Sequence, residues 1–264
     1  MLMLKKTYGV IVMLLCFGLS VDGQTPVSTP KTPVATDTAM PAKAAPVKFH
    51  SDLLDLTFSY PGSMTAKVLA SLEDQHAQTI AKYPNETAEE KRTDECSDVA
   101  LRAAREDDPN KATGTVAFYG DKRGAEFHIN PVVKAKLVIS RIGIECLPQK
   151  YRDNPDGVAI GLAQTSAEGK DMKAIDQPGY FDFGKMHIHF EASETAAPAK
   201  PEDKRWIVST AFISKGSVVS MYFESNDLTF LNEMISGEIT IGKEHGARFF
   251  PADIGNGTPV TYKP

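Results

Sequence analysis

The chain has 264 residues, 29 lysines and arginines against 34 aspartates and glutamates, and a formal net charge of −5. A mildly acidic chain with no basic cluster lacks the electrostatic footprint that a phosphate backbone requires, which argues against nucleic acid and against an anionic membrane surface as partners. Hydrophobic residues make up 42%, enough for the core of one domain of ordinary size.

The first residues read MLMLKKTYGVIVMLLCFGLSVDGQ. Lys5 and Lys6 form a short basic region, and Tyr8 to Ser20 is an uncharged, mostly apolar run of 13 residues. A bilayer-spanning helix needs roughly 20 apolar residues, so this run has the size of a signal-peptide core rather than of an anchor. Val21 and Gly23 are small enough for the −3 and −1 sites, which predicts cleavage before Gln24 and residues 1–23 as a signal peptide. The expected location is therefore secreted or periplasmic, with no stable membrane insertion after cleavage. Lipidation on Cys16 is the alternative, but the residue before it is Leu15, where that signal needs a small side chain. Removing 1–23 takes away two lysines and one aspartate and leaves a net charge of −6.

Residues 24–48 are rich in proline, threonine and alanine and offer little to bury, so they are expected to be a disordered linker. Residues 49–264 are expected to form a single globular domain, with no internal repeat.

Within that domain LDLTFSYPG (54–62) alternates as a short strand, with Leu54, Leu56 and Phe58 on one face and Pro61-Gly62 at its end. Met64, Val68, Leu69, Leu72, His76 and Ile80 recur at helical spacings. A second helix is expected from Ser97 to Glu106, with Ser97 as its cap and Asp107-Asp108-Pro109 as its stop. Residues 113–119 and 124–129 read as a hairpin, 137–140 as a strand and 158–164 as a helix. YFDF (180–183) and MHIHFEAS (186–193) flank Gly184-Lys185, a pair suited to a type II′ turn. RWIVSTAFIS and SVVSMYFES flank Lys215-Gly216, a second hairpin. Asp227 then leads into a helix carrying Leu228, Leu231, Met234 and Ile235, which Gly237 closes. Hairpins with interspersed helices predict an α+β domain whose sheet is largely antiparallel and flanked by helices.

The early FSYPG, the hairpins in the middle and the late strand–strand–helix unit SVVSMYFESNDLTFLNEMI resemble the PsbP-like fold. Phe58, Tyr60, Pro61 and Gly62 carry the local match. The family comprises secreted or lumenal α-β-α sandwiches, so the resemblance implies that architecture and an accessory or binding role more than a catalytic one. It carries no functional residue over to this chain.

The stretch KMHIHFEASE (185–194) holds the densest chemistry. Met186, Ile188, Phe190 and Ala192 are apolar, while Lys185, His187, His189, Glu191 and Ser193 are polar, the alternation of a strand with one buried and one solvated side. The alternation by itself explains why both histidines face the same way. If Gly184-Lys185 is the turn, Asp182 pairs with His187 and Tyr180 with His189, with opposed Cβ atoms about 4.5–5.5 Å apart. Asp182, His187 and His189 would then be a sensible ligand set for zinc, copper or nickel. A surface strand supplies no evident fourth ligand, so the expectation is a solvated face, with a metal-binding protein or metal-dependent hydrolase as the alternative.

No G-x-S-x-G, no H-E-x-x-H and no Gly-rich phosphate loop occurs, so no catalytic residue and no cofactor is expected. His50, His76, His128 and His245 stand alone and read as structural or surface residues. Glu89-Glu90 and Glu106-Asp107-Asp108 read as solvated helix ends, and Asn85 and Asn256 open glycosylation sequons. Cys96 and Cys146 are the two cysteines left after cleavage, and an exported pair in an oxidising compartment is expected to form a disulfide. The resulting expectation is a non-catalytic extracytoplasmic module that binds a protein or a small ligand.

Overall fold

The computed structural model describes residues 44–68, 87–88, 96–105, 116–121, 124–129, 133–167, 169, 171–175, 179–200 and 203–255. In chain order the strands are β1 (Val47–Ser51), β2 (Leu56–Tyr60), β3 (Thr65–Lys67), β4 (Ser97–Arg105), β5 (Val116–Asp121), β6 (Gly124–Ile129) and β7 (Ala135–Gly143). After helices α1 (Gln149–Arg152) and α2 (Pro155–Ala167) come β8 (Met172–Ala174), β9 (Gly179–Phe183), β10 (Met186–Thr195), β11 (Trp206–Ser214) and β12 (Ser217–Ser225). Helix α3 (Leu228–Ile235), β13 (Ile239–Ile241) and β14 (Glu244–Gly246) complete the order. The described part is thus α+β and rich in antiparallel sheet.

Among the described residues, eight strands form the central sheet in the order β3-β4-β7-β12-β11-β10, with β8 and β9 sharing the outer edge of β10. A second sheet, β1-β2-β13-β14, joins the first described strands to the last, and β5-β6 form a separate pair. The period-2 alternation of the strands divides the central sheet into two faces. One face carries Leu137, Ile139, Ile188, Phe190, Val208, Phe212, Met221 and Phe223 against α3 and the small sheet. Its centre is a set of edge-to-face aromatic contacts, among them Phe58 on Phe249 at 5.9 Å and Phe190 on Phe250 at 5.2 Å. The other face carries Ile142, Ala211 and Val218 against Val158, Ala159, Leu162 and Ala163 of α2.

Local chemistry sets the ends of these elements. The Asn154 side chain accepts from the Gly157 N–H at 3.0 Å, and Pro155 fits the first position of α2, where no backbone donor is needed. Asp227 accepts from the Phe230 N–H at 2.8 Å and caps α3. Gly184 has a φ of 58° while Lys185 does not turn positive, the type II′ pattern the sequence predicts. At the second hairpin Lys215 and Gly216 are both left-handed, at 44° and 70°, as type I′ requires.

Several expectations need correction. Residues 97–105 are strand β4, not a helix. Its pairing with β7 shifts register between Val99 and Leu101, so Val99 packs with Ala167 of α2 while Leu101 and Ala103 join the opposite core. That bulge breaks the alternation that would have marked a strand, and tertiary pairing overrides the helix propensity of alanine and arginine. The expected helix over 64–80 begins instead as β3, and residues 69–80 lie outside the described residues. β1 takes in Val47 and Lys48, which the sequence assigns to the linker. Gly237 comes after α3 without a left-handed φ; it is glycine because a Cβ there would collide with the Ser59 carbonyl oxygen. Glu89-Glu90, Glu106-Asp107-Asp108, His76, Asn85 and Asn256 lie outside the described residues.

Candidate functional site

The β9–β10 hairpin forms in the expected register, with Asp182 opposite His187 and Tyr180 opposite His189. His187 lies near the hairpin tip, its side chain 55% exposed, with Nδ1 2.9 Å from Asp182 Oδ1. The solvated face expected from the alternation holds for His187 and fails two residues later. From His189 onward the same face of β10 is roofed by α2, and His189, Glu191 and Ser193 are buried. The helix lies this close because its sheet-facing positions include small residues, Ala159, Ala163 and Ala167. Both ends of α2 meet β10. At one end Ser193 Oγ donates to the Ala167 carbonyl at 2.8 Å; at the other His189 Nε2 stands 3.4 Å from Asp156 Oδ1.

Between the first turns of α2 and the hairpin lies a cleft of about 380 Å³. Asp156, Ile160, Ala163 and Gln164 line it from the helix, their spacing putting them on one stripe. Tyr180, His187, His189 and Phe190 line it from the hairpin. The Tyr180 ring stands edge-on to both imidazoles, with centroids 4.7 Å from His187 and 6.0 Å from His189. The sequence singles out the hairpin residues but not Asp156, which precedes His189 by 33 positions. Nothing in a run of small residues announces which strand the helix will cover.

The metal alternative requires Asp182, His187 and His189 to converge. The structure joins Asp182 to His187 but turns His189 toward Asp156. Among the described residues no group of three histidines, cysteines, aspartates or glutamates is placed to hold a metal ion. His50 bonds Thr57 through Nδ1 at 2.9 Å and Asp52 through Nε2 at 3.1 Å, and His245 bonds Thr240 at 3.1 Å. Both are local surface contacts of the small sheet. His128 lies in β6, opposite Ala117 of β5.

Farther along β10, Glu194 sits between Lys173 and Lys204, each ammonium 2.8 Å from one carboxylate oxygen. Those two hydrogen bonds, first from Lys173 and then from Lys204, hold its carboxyl below the ordinary glutamate range. Lys204 also lies over the Trp206 ring at 4.9 Å. Cys96 and Cys146 stand at disulfide distance, with Cα atoms 5.8 Å apart. The antiparallel register of β4 on β7, which sets Ser97 opposite Ile142, brings them to the same end of the pair. No helix among the described residues is long and apolar enough to cross a membrane.

No protein-family model matches the chain, and no curated protein matches it.

Proposed function

We propose that the chain is an exported, non-catalytic binding or accessory module of the PsbP-like kind, and that it takes its ligand in the cleft between α2 and the β9–β10 hairpin. The observation that carries this reading is the make-up of that cleft. Its volume of about 380 Å³ lies at the small end of the range for small-molecule sites, and its apolar and aromatic walls carry a few polar groups that set orientation. His187 is bonded by Asp182 at 2.9 Å, and His189 faces Asp156 at the longer distance of 3.4 Å. Among the described residues no serine, threonine or cysteine lines the cleft as a nucleophile.

Export is supported by the basic-then-apolar residues 1–23 and by two cysteines at disulfide distance. The PsbP-like reading is supported by the order of elements: FSYPG in and after β2, two hairpins, and β12 leading directly into α3.

N-terminal sequencing of the exported protein should give a chain starting at Gln24; a retained residue 1–20 segment or a diacylglycerol on Cys16 would defeat the export reading. For the cleft, small molecules that bind by saturation-transfer NMR should be recovered unchanged and should be lost in Ile160→Trp, whose ring fills the space. Chemical conversion of those molecules would make the protein an enzyme instead.

A further inference from the structure

Given that this cleft is the binding site, we infer that it takes a small organic cation, an ammonium or guanidinium group carried on an apolar or aromatic body.

Among the described residues that line it, the cleft contains the Asp156 carboxylate and neither lysine nor arginine. Asp156 keeps a side chain that is 58% exposed, and its contact with His189 is long at 3.4 Å, beyond the ordinary 2.7–3.2 Å of a nitrogen–oxygen hydrogen bond. A ligand entering this space removes water from that carboxylate. An anion would add like charge to the loss of hydration, and a neutral apolar molecule would leave the lost hydration unreplaced; both are costly in a partly desolvated site. A cation replaces the lost hydration with a charge-assisted hydrogen bond.

The other walls suit the same occupant. Tyr180 lines the cleft, and an aromatic ring attracts a cation placed over its face within about 6 Å of its centroid. Gln164 adds an amide that can accept from a second N–H. Ile160, 38% exposed, gives an apolar surface for the body of the ligand. The acidic net charge of the chain, −5, favours the approach of cations over anions.

Such a cation has two sources, a free amine or the basic side chain of a protein partner, and one titration series separates them. The full chain is titrated calorimetrically with benzylamine, benzyl alcohol, benzoate and an end-blocked pentapeptide carrying one central lysine. Benzylamine is expected to bind at least about tenfold more tightly than benzyl alcohol and to weaken as salt is raised. Asp156→Asn should cost about tenfold and Tyr180→Leu about fivefold, as expected for loss of an ion pair and of a cation–π contact. Benzylamine binding as tightly as the peptide identifies a free amine; a peptide at least about tenfold tighter identifies a protein side chain.

Benzyl alcohol or benzoate binding as well as benzylamine overturns the inference, as does the absence of benzylamine and peptide binding. The ranking is read on the unaltered chain, so it stands even if a variant fails to fold. Benzoate or alcohol binding that disappears in Ile160→Trp would sink the cation while leaving the binding-module reading intact. Benzylamine binding that persists in Ile160→Trp would place the site elsewhere and sink both.

Discussion

His187 and His189 are two positions apart on one face of β10 and live in different media. The side chain of His187 is 55% exposed and that of His189 is 10% exposed, because α2 begins its cover between them. The His187–Asp182 contact is an exposed hydrogen bond in water, and solvated contacts of this kind contribute little. His187→Ala should lower stability by less than about 0.5 kcal/mol, whereas His189→Ala empties a packed position and should cost about 2 kcal/mol. Guanidinium denaturation of the two variants tests this, and equal effects would show that the helix does not roof His189. Glu194, farther along the same strand, carries a pH prediction. Its folded-state affinity for a proton is lowered by Lys173 and Lys204, so its contribution is present above the unfolded value, about pH 4.3, and is lost as pH falls through the lower folded value. Glu194→Gln should therefore be less stable than the parent at neutral pH and indistinguishable from it well below about pH 4. Thermal melts across that range decide it; a difference that grows in acid would refute the pairing.

At the scale of elements, turns are legible in the sequence because their chemistry is local. Gly184-Lys185 specifies its turn, which in turn fixes the Asp182–His187 register. Asp227 and the spacing of Leu231, Met234 and Ile235 specify α3. A helical reading of β4 fails because its bulge depends on β7, a strand distant along the chain, and no window on SDVALRAAR contains that information. Gly237 has the look of a helix terminator because glycine often is one, yet its reason is contact with a strand far away in sequence. The two causes are separable. Gly237→Ala places a methyl group against the Ser59 carbonyl and should cost about 2–3 kcal/mol, in the range of overpacking a close contact. Gly216→Ala meets nothing within 4 Å but keeps a φ of 70°, and should cost about 1 kcal/mol from backbone strain alone. Urea midpoints of the two variants measure the difference, and a Gly237→Ala as mild as Gly216→Ala would contradict the close approach.

For the whole molecule, the first and last described strands are held together by pairing and packing. β2 pairs with β13, and Phe249 and Phe250 enter the main core beside Phe58, Phe181, Phe190 and Phe223. Cys96 and Cys146, 50 residues apart in the chain, stand at disulfide distance at one end of the β4–β7 pair. Closing a loop of that length restricts the unfolded chain by about 4 kcal/mol in the entropic account. The protein, unfolded without reductant, should show no reactive thiol from this pair, and reduction should lower its denaturation free energy by about that amount. Titration of both thiols in the unreduced protein would show that the pair is not bonded.

The sequence by itself determined the features whose causes lie close together in the chain: the α+β class, the two hairpins and their turns, the helix that follows Asp227 and the shared face of His187 and His189. Each depends on backbone preferences or on side chains a few positions apart, so a short window contains the cause. Only the tertiary structure decided that α2 covers half of that face, burying His189, leaving His187 in water and bringing Asp156 across to complete the cleft. Strand alternation says that a side chain points away from one core; it does not say whether water or a helix waits on the other side, because that is settled by where the rest of the chain packs.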